Sequence, residues 1–240
     1  MDDKVRGLRI RRALLLAFSL LLTGASACTP DLHETVGPLV PIPNITGTVL
    51  RDGDPIADIK VKLERASDDS LWAEDRTDAA GRFAILLPDT GLFVVRVDGQ
   101  GGADFDKTTF EFHQATPEAE FESPALDIDT RGFDIKEPDT GRTEALPSLF
   151  EPLEIRWDRS DAIGGRAQVR FYAQSGDAVW FSLRTEDAEV AWNGLMNQGS
   201  FRNRFVQPGT YRWRMILDTS AGVRYTTAYR DVTFTSGVLR

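Results

Sequence analysis

The chain has one cysteine and two histidines among its 240 residues. A single thiol leaves no internal disulfide, so no cross-link adds to stability. Nucleophilic triads need a histidine base beside Ser or Cys, and zinc sites draw on Cys and His. His33 and His113 lie in the first half, and no histidine follows residue 113. Paired carboxylates for glycoside hydrolysis are not excluded by counting, because acids abound, but none stands in a recognisable strand-end constellation. The expectation is no catalytic residue, no metal and no cofactor. Helical periodicity is scarce too. No amphipathic helix of three turns appears after residue 30. The apolar stretch from Ala13 to about Thr23 is too short to span a bilayer, which needs roughly 20 apolar residues.

Positive charge is in short supply, with 28 Lys and Arg against 37 Asp and Glu, a net of −9. The deficit is uneven. Residues 28–128 carry 8 basic and 20 acidic side chains, whereas residues 129–240 carry 15 of each. The acidic half repels polyanions, so nucleic acid is not an expected partner. In the second half 14 Arg stand beside a single lysine, Lys136. Oxygen ligands for calcium exist in principle at Asp52, Asp54, Asp68, Asp69, Asp104 and Asp106. Asp52-Gly53-Asp54 lacks the spacing of a calcium loop, and these acids read as turn residues.

The N-terminus is built in three parts. Lys4, Arg6, Arg9, Arg11 and Arg12 precede the apolar run, and small residues follow it up to the cysteine. That order marks an export signal. The run Leu21-Leu22-Thr23-Gly24-Ala25-Ser26-Ala27-Cys28 resembles the lipobox of bacterial lipoproteins, with Ala25 where the lipobox favours Leu. The resemblance implies a signal peptide over residues 1–27 and lipid attachment at Cys28. Two or three acyl chains hold firmly where one is marginal. Thr29 in place of Asp implies sorting to the outer membrane. The expected location is therefore lipid-anchored to the bacterial cell envelope. Residues 28–43 form a tether with Pro30, Pro38, Pro41 and Pro43, and proline-rich linkers are extended.

Strand signals occupy the rest. Ile45 to Leu50 precedes a turn at Asp52-Gly53, and Ile59-Lys60-Val61-Lys62-Leu63-Glu64 alternates with period two. Arg82 to Leu87 and Leu92 to Val97 follow, with Thr108 to Phe112 and Phe121 to Ile128 as weaker signals. Gly47-Thr48-Val49, Thr77-Asp78-Ala79-Ala80-Gly81-Arg82-Phe83 and Leu87-Pro88-Asp89-Thr90-Gly91 resemble a carboxypeptidase regulatory-like domain. That family implies a transthyretin-like β-sandwich over residues 44–128 and carries no catalytic residue of its own.

Residues 129–240 continue in the same way. Leu153 to Trp157, Ala167 to Ala173, Val179 to Arg184, Tyr211 to Leu217, Tyr225 to Tyr229 and Val232 to Phe234 read as strands. Leu153-Glu154-Ile155-Arg156-Trp157 and Pro208-Gly209-Thr210-Tyr211-Arg212-Trp213-Arg214-Met215 resemble a fibronectin type III or immunoglobulin-like domain. The resemblance implies a tyrosine corner at Tyr211, its hydroxyl bonded back to the backbone.

The fold class expected is all-β, two tandem β-sandwich domains after a cleaved signal. Trp157 and Trp213 read as core. Trp72 and Trp192 fall in less regular segments and read as exposed. Trp180 and Phe181 face opposite ways, so one points outward. Trp72, Trp180 and Trp192 are the candidate ligand contacts. The function expected is a non-catalytic structural or protein-interaction module, with an envelope protein or a glycan as partner. The rival is a carbohydrate-binding surface lipoprotein, an inference from fold analogy.

Overall fold

The computed structural model describes residues 42–87, 89–99, 105–128, 133–158 and 164–236. The signal peptide, Cys28 and the tether up to residue 41 lie outside the described residues. In the first half come β1 (Ile45–Arg51), β2 (Asp54–Pro55), β3 (Lys60–Arg65), β4 (Leu71–Arg76), β5 (Arg82–Ile85), β6 (Gly91–Asp98), β7 (Phe105–Ala115), β8 (Phe121–Glu122) and β9 (Leu126–Asp127). In the second come β10 (Asp134–Glu137), β11 (Arg142–Ala145), β12 (Leu153–Asp158), β13 (Arg166–Ala173), β14 (Ala178–Phe181), β15 (Glu189–Trp192), β16 (Gly209–Asp218), β17 (Val223–Thr227) and β18 (Arg230–Thr235). Among the described residues the one helical element is a three-residue 3-10 turn at Gly199–Phe201, and no helix is long and apolar enough to cross a membrane. The chain is all-β.

Period two decides which side chains go inward. In the first half β1 lies between β2 and β5, with β8 and β9 parallel to it. Ile45, Val49, Phe83, Ile85 and Leu126 from this sheet join Val61, Leu63, Phe93, Val95 and Val97 from β3 and β6 in the buried core. Phe112 of β7 meets Phe121 of β8 edge to face, 5.7 Å between centroids.

The turn between β4 and β5 carries the Thr77-to-Phe83 motif, and four of its residues have mechanical tasks. Thr77 Oγ1 accepts from Ile59 N at 2.9 Å and donates to the Ile56 carbonyl at 2.7 Å. Asp78 Oδ1 accepts from the amides of Ala80 and Arg82, both at 2.9 Å. Gly81 takes φ +72°, where a Cβ would stand 2.6 Å from the Val49 carbonyl oxygen. Phe83 then enters the core.

In the second half β10, β12 and β15 form a three-stranded sheet. Ile155, Trp157 and Trp192 from it are buried with Val169, Phe171, Trp213, Met215 and Phe234 of β13, β16 and β18. Trp192 packs 4.7 Å from Phe171 and 5.8 Å from Phe234. Tyr211 Oη donates to the Gln207 carbonyl at 3.1 Å, the bond back to the backbone that a tyrosine corner makes.

The two halves share a sheet. β7 pairs antiparallel with β17, placing Tyr225 opposite Thr108 and Arg224 opposite Thr109. A ten-stranded sheet results, β11-β18-β16-β17-β7-β6-β3-β4, with β13 and β14 continuing from β16. Beneath the seam Phe105 packs 4.6 Å from Tyr225 and 5.0 Å from Phe133. Residues 41–240 accordingly cluster as one compact unit.

Candidate interaction surface

The three tryptophans do not come together as an exposed platform. Trp192 is 1% exposed and Trp180 is 8% exposed. They stack on each other inside the second half, 5.3 Å apart at 23°. The reading of Trp192 as exposed is corrected here. The short strand β15 pairs with β12 and turns that ring inward, where its Nε1 donates to the Leu195 carbonyl at 2.9 Å. Of the adjacent pair Trp180 and Phe181, Phe181 is the outward member. Trp72 lies on β4, a regular strand, at 38% exposure. One face of its ring is covered by the Arg65 guanidinium at 4.3 Å, and it meets Phe93 edge-on.

The acidic side chains serve turns and ion pairs. Asp68 accepts from the amide and hydroxyl of Ser70. These bonds hold its carboxyl below the usual carboxylate range. The Asp52-Gly53 turn donates both amides to the Asp127 carboxylate, at 3.1 and 2.9 Å. Asp104 lies outside the described residues. Among the described residues no three His, Cys, Asp or Glu side chains converge on a metal site. His113 stands exposed on β7, 3.6 Å from Glu111.

Two features emerge that the sequence pattern did not single out. The first is a loop apex between β11 and β12. Ser148 N donates to the Glu151 carbonyl at 2.9 Å, and Ser148 Oγ accepts from Glu151 N at 3.1 Å. This closure leaves Leu149 and Phe150 as a two-residue apex, 70% and 94% exposed. The base of the loop packs on the segment after β15. The Pro147 carbonyl lies 2.6 Å from where a Cβ of Gly194 would be, which only glycine allows there. Beside Gly194, Leu195 and Phe205 form an isolated bridge and are also exposed, 38% and 52%. Large apolar side chains held outward on a braced loop are uncommon on a surface that meets only water.

The second feature lies on the outer face of the ten-stranded sheet. Arg170 and Tyr172 of β13 stand beside Arg214 and Arg212 of β16, as direct Cα partners. Arg170 lies over the Phe181 ring at 4.7 Å. Arg214 lies 5.6 Å from the Tyr172 ring and 4.7 Å from that of Tyr229, and Arg212 lies 5.0 Å from Tyr229. The same face forms a shallow concavity of about 390 Å³ that runs from Arg170 and Arg214 past Thr226 to Lys107 of β7, and Asp69, Glu111 and Asp218 also line it, away from the arginine end. On the opposite sheet, by contrast, cations are neutralised. Lys136 bridges Asp134 and Asp158 at 2.8 and 2.9 Å, and Arg156 pairs with Glu154 and Glu189.

No protein-family model matches the chain. No curated protein matches it. Solved structures similar to the chain include two all-β examples. One is described as "Biofilm associated protein - BSP domain", at 11% identity and a TM-score of 0.28, covering 80% of this chain and 29% of that one. The chain thus spans under a third of that protein's length. The other comprises fibronectin(III)-like modules of Clostridium thermocellum CbhA, at 14% identity and a TM-score of 0.27, covering 80% of this chain and 90% of that one.

Proposed function

We propose that the chain is a non-catalytic structural or protein-interaction module, anchored by lipid on Cys28 to the bacterial outer membrane. The observation that carries the interaction reading is the apex Leu149-Phe150, displayed at 70% and 94% exposure on a loop closed by Ser148 and Glu151. Burying such side chains against a partner stabilises an interface by about 1.5–3 kcal/mol each. The lipobox-like run ending at Cys28 supports the anchor. Carbohydrate binding has less support, because Trp180 and Trp192 are stacked in the core and one face of Trp72 is covered.

The test places a photo-crosslinking amino acid at position 150 in the anchored chain in native envelopes. A discrete protein adduct that a Phe150→Asp chain fails to compete away, but the wild-type chain does, is the expected result. Adducts identical to those from a probe at exposed Leu92 would remove the interaction reading. Metabolic palmitate labelling is expected to vanish in Cys28→Ser, and label that persists would remove the anchor.

A further inference from the structure

We infer that the outer face of β13, β14 and β16 binds an acidic polypeptide segment, its carboxylates on Arg170, Arg212 and Arg214 and its apolar side chains on Tyr229 and Phe181. This surface is separate from the Leu149-Phe150 apex, and each stands or falls alone.

The arginines of this face carry charge without an ion-pair partner. On the same sheet Lys62 and Arg96 pair with Asp98, Arg96 also with Glu64, and Arg224 with Asp218. Among the described residues no carboxylate forms an ion pair with Arg170, Arg212 or Arg214, and the acid directly across the strands from them is Asp231, the β18 partner of Arg212. Arg170 instead donates to Gln168 Oε1 at 2.9 Å. Arg170 and Arg214 are moreover direct cross-strand partners, and like charges so placed oppose each other. An arriving carboxylate relieves that opposition.

The guanidinium groups are also held in place before anything binds. The Nε atoms of Arg212 and Arg214 are buried without a hydrogen-bond partner. The rings of Tyr172 and Tyr229 hold the guanidinium planes by cation–π attraction. A fork fixed in this way has lost much of its rotamer freedom before binding, which lowers the cost of association. Its terminal nitrogens match the two oxygens of a carboxylate.

Spacing and shape suit an extended peptide. Arg212 and Arg214 are two residues apart on one strand, about 6.8 Å at ~3.4 Å per residue. Alternate side chains of an extended peptide repeat at the same interval. Tyr229, 42% exposed, and Phe181 supply apolar ground beside the charges. A sugar ring would need coplanar aromatic tiles, but Tyr172 is inclined 83° to Tyr229 and 58° to Phe181.

The test is fluorescence anisotropy of a labelled peptide alternating Asp or Glu with Leu or Phe, titrated with the full chain in detergent micelles. Binding that weakens as NaCl rises is expected, and about tenfold or more loss in Arg170→Gln/Arg214→Gln. Arg202→Gln, at an exposed position outside this face, should bind as wild type. The same peptide with Gln and Asn for its acids should bind at least tenfold more weakly. Absence of binding at low salt, or undiminished binding by the double variant, overturns the inference. Tighter binding of polygalacturonate through the same arginines overturns it in favour of an acidic glycan. If the double variant does not fold, hydrogen exchange of the wild-type chain decides. Slowing by the peptide at β13 and β16 upholds the site, and slowing confined to other strands removes it.

Discussion

Gly81 and Gly53 separate two costs that a sequence pattern merges. Both lie at positive φ, +72° and +83°. A Cβ at Gly53 meets nothing within 4 Å, whereas at Gly81 it meets the Val49 carbonyl at 2.6 Å. Gly53→Ala bears the left-handed conformation alone, about 1 kcal/mol. Gly81→Ala adds a backbone clash in the turn that Thr77 and Asp78 hold. It should cost about 2–3 kcal/mol, measured as the difference in urea unfolding free energy. Equal losses for the two would show that the turn moves freely. Tyr225 carries a second residue-scale consequence. Burial, and the Asp127 carboxylate after it, push its phenol from the ordinary 10.0 up to about 12. In the unfolded chain the phenol ionises first, so stability should fall as pH rises from about 10 towards 12, by on the order of 2 kcal/mol. Absorbance titration near 295 nm should show a lagging tyrosine fraction, and Tyr225→Phe should remove it.

Among the elements, strands with alternation or a dense apolar run were legible, and short or edge strands with neither were not. Ile59 to Glu64 alternates in sequence, and β3 covers Lys60–Arg65. Leu153 to Trp157 does the same and becomes β12. β4 and β15 escaped. β4 is a sheet-edge strand whose exposed and half-buried positions mix, so its residues LWAEDR show no apolar face. β15 has four residues, Glu189–Trp192, too few for a period to register, and its burial comes from pairing with β12. Thr108 to Phe112 reads as a weak signal, yet it lies within the eleven-residue β7. β7 has neighbours on both sides, β6 and β17, and this pairing sustains a strand that its own polar residues would not.

For the whole molecule, the seam between β7 and β17 matters more than the chain division at residues 128 and 129. Sheet hydrogen bonds and the Phe105–Tyr225–Phe133 cluster tie the halves together. One unfolding transition is therefore expected in calorimetry, with equal calorimetric and van't Hoff enthalpies. Two resolved transitions would mean that the halves are energetically separate. Tyr225→Ala should lower that single transition by the 3–5 kcal/mol typical of a large core truncation.

What the sequence determined by itself follows from local chemistry. Period two announced an all-β chain, and the Thr77-Asp78-Gly81 motif announced its turn, because each depends on neighbours a few residues apart. A bond from Tyr211 back to the backbone was implied by the resemblance to an immunoglobulin-like domain, and the structure gives Gln207 as its acceptor. Tertiary structure alone decided the rest. Trp192 went inward, Arg170 came to stand against Arg214, and Leu149 and Phe150 were left at an apex. Each of these outcomes depends on strands distant in sequence meeting side by side, and pairing across that distance leaves no mark on the residues in between.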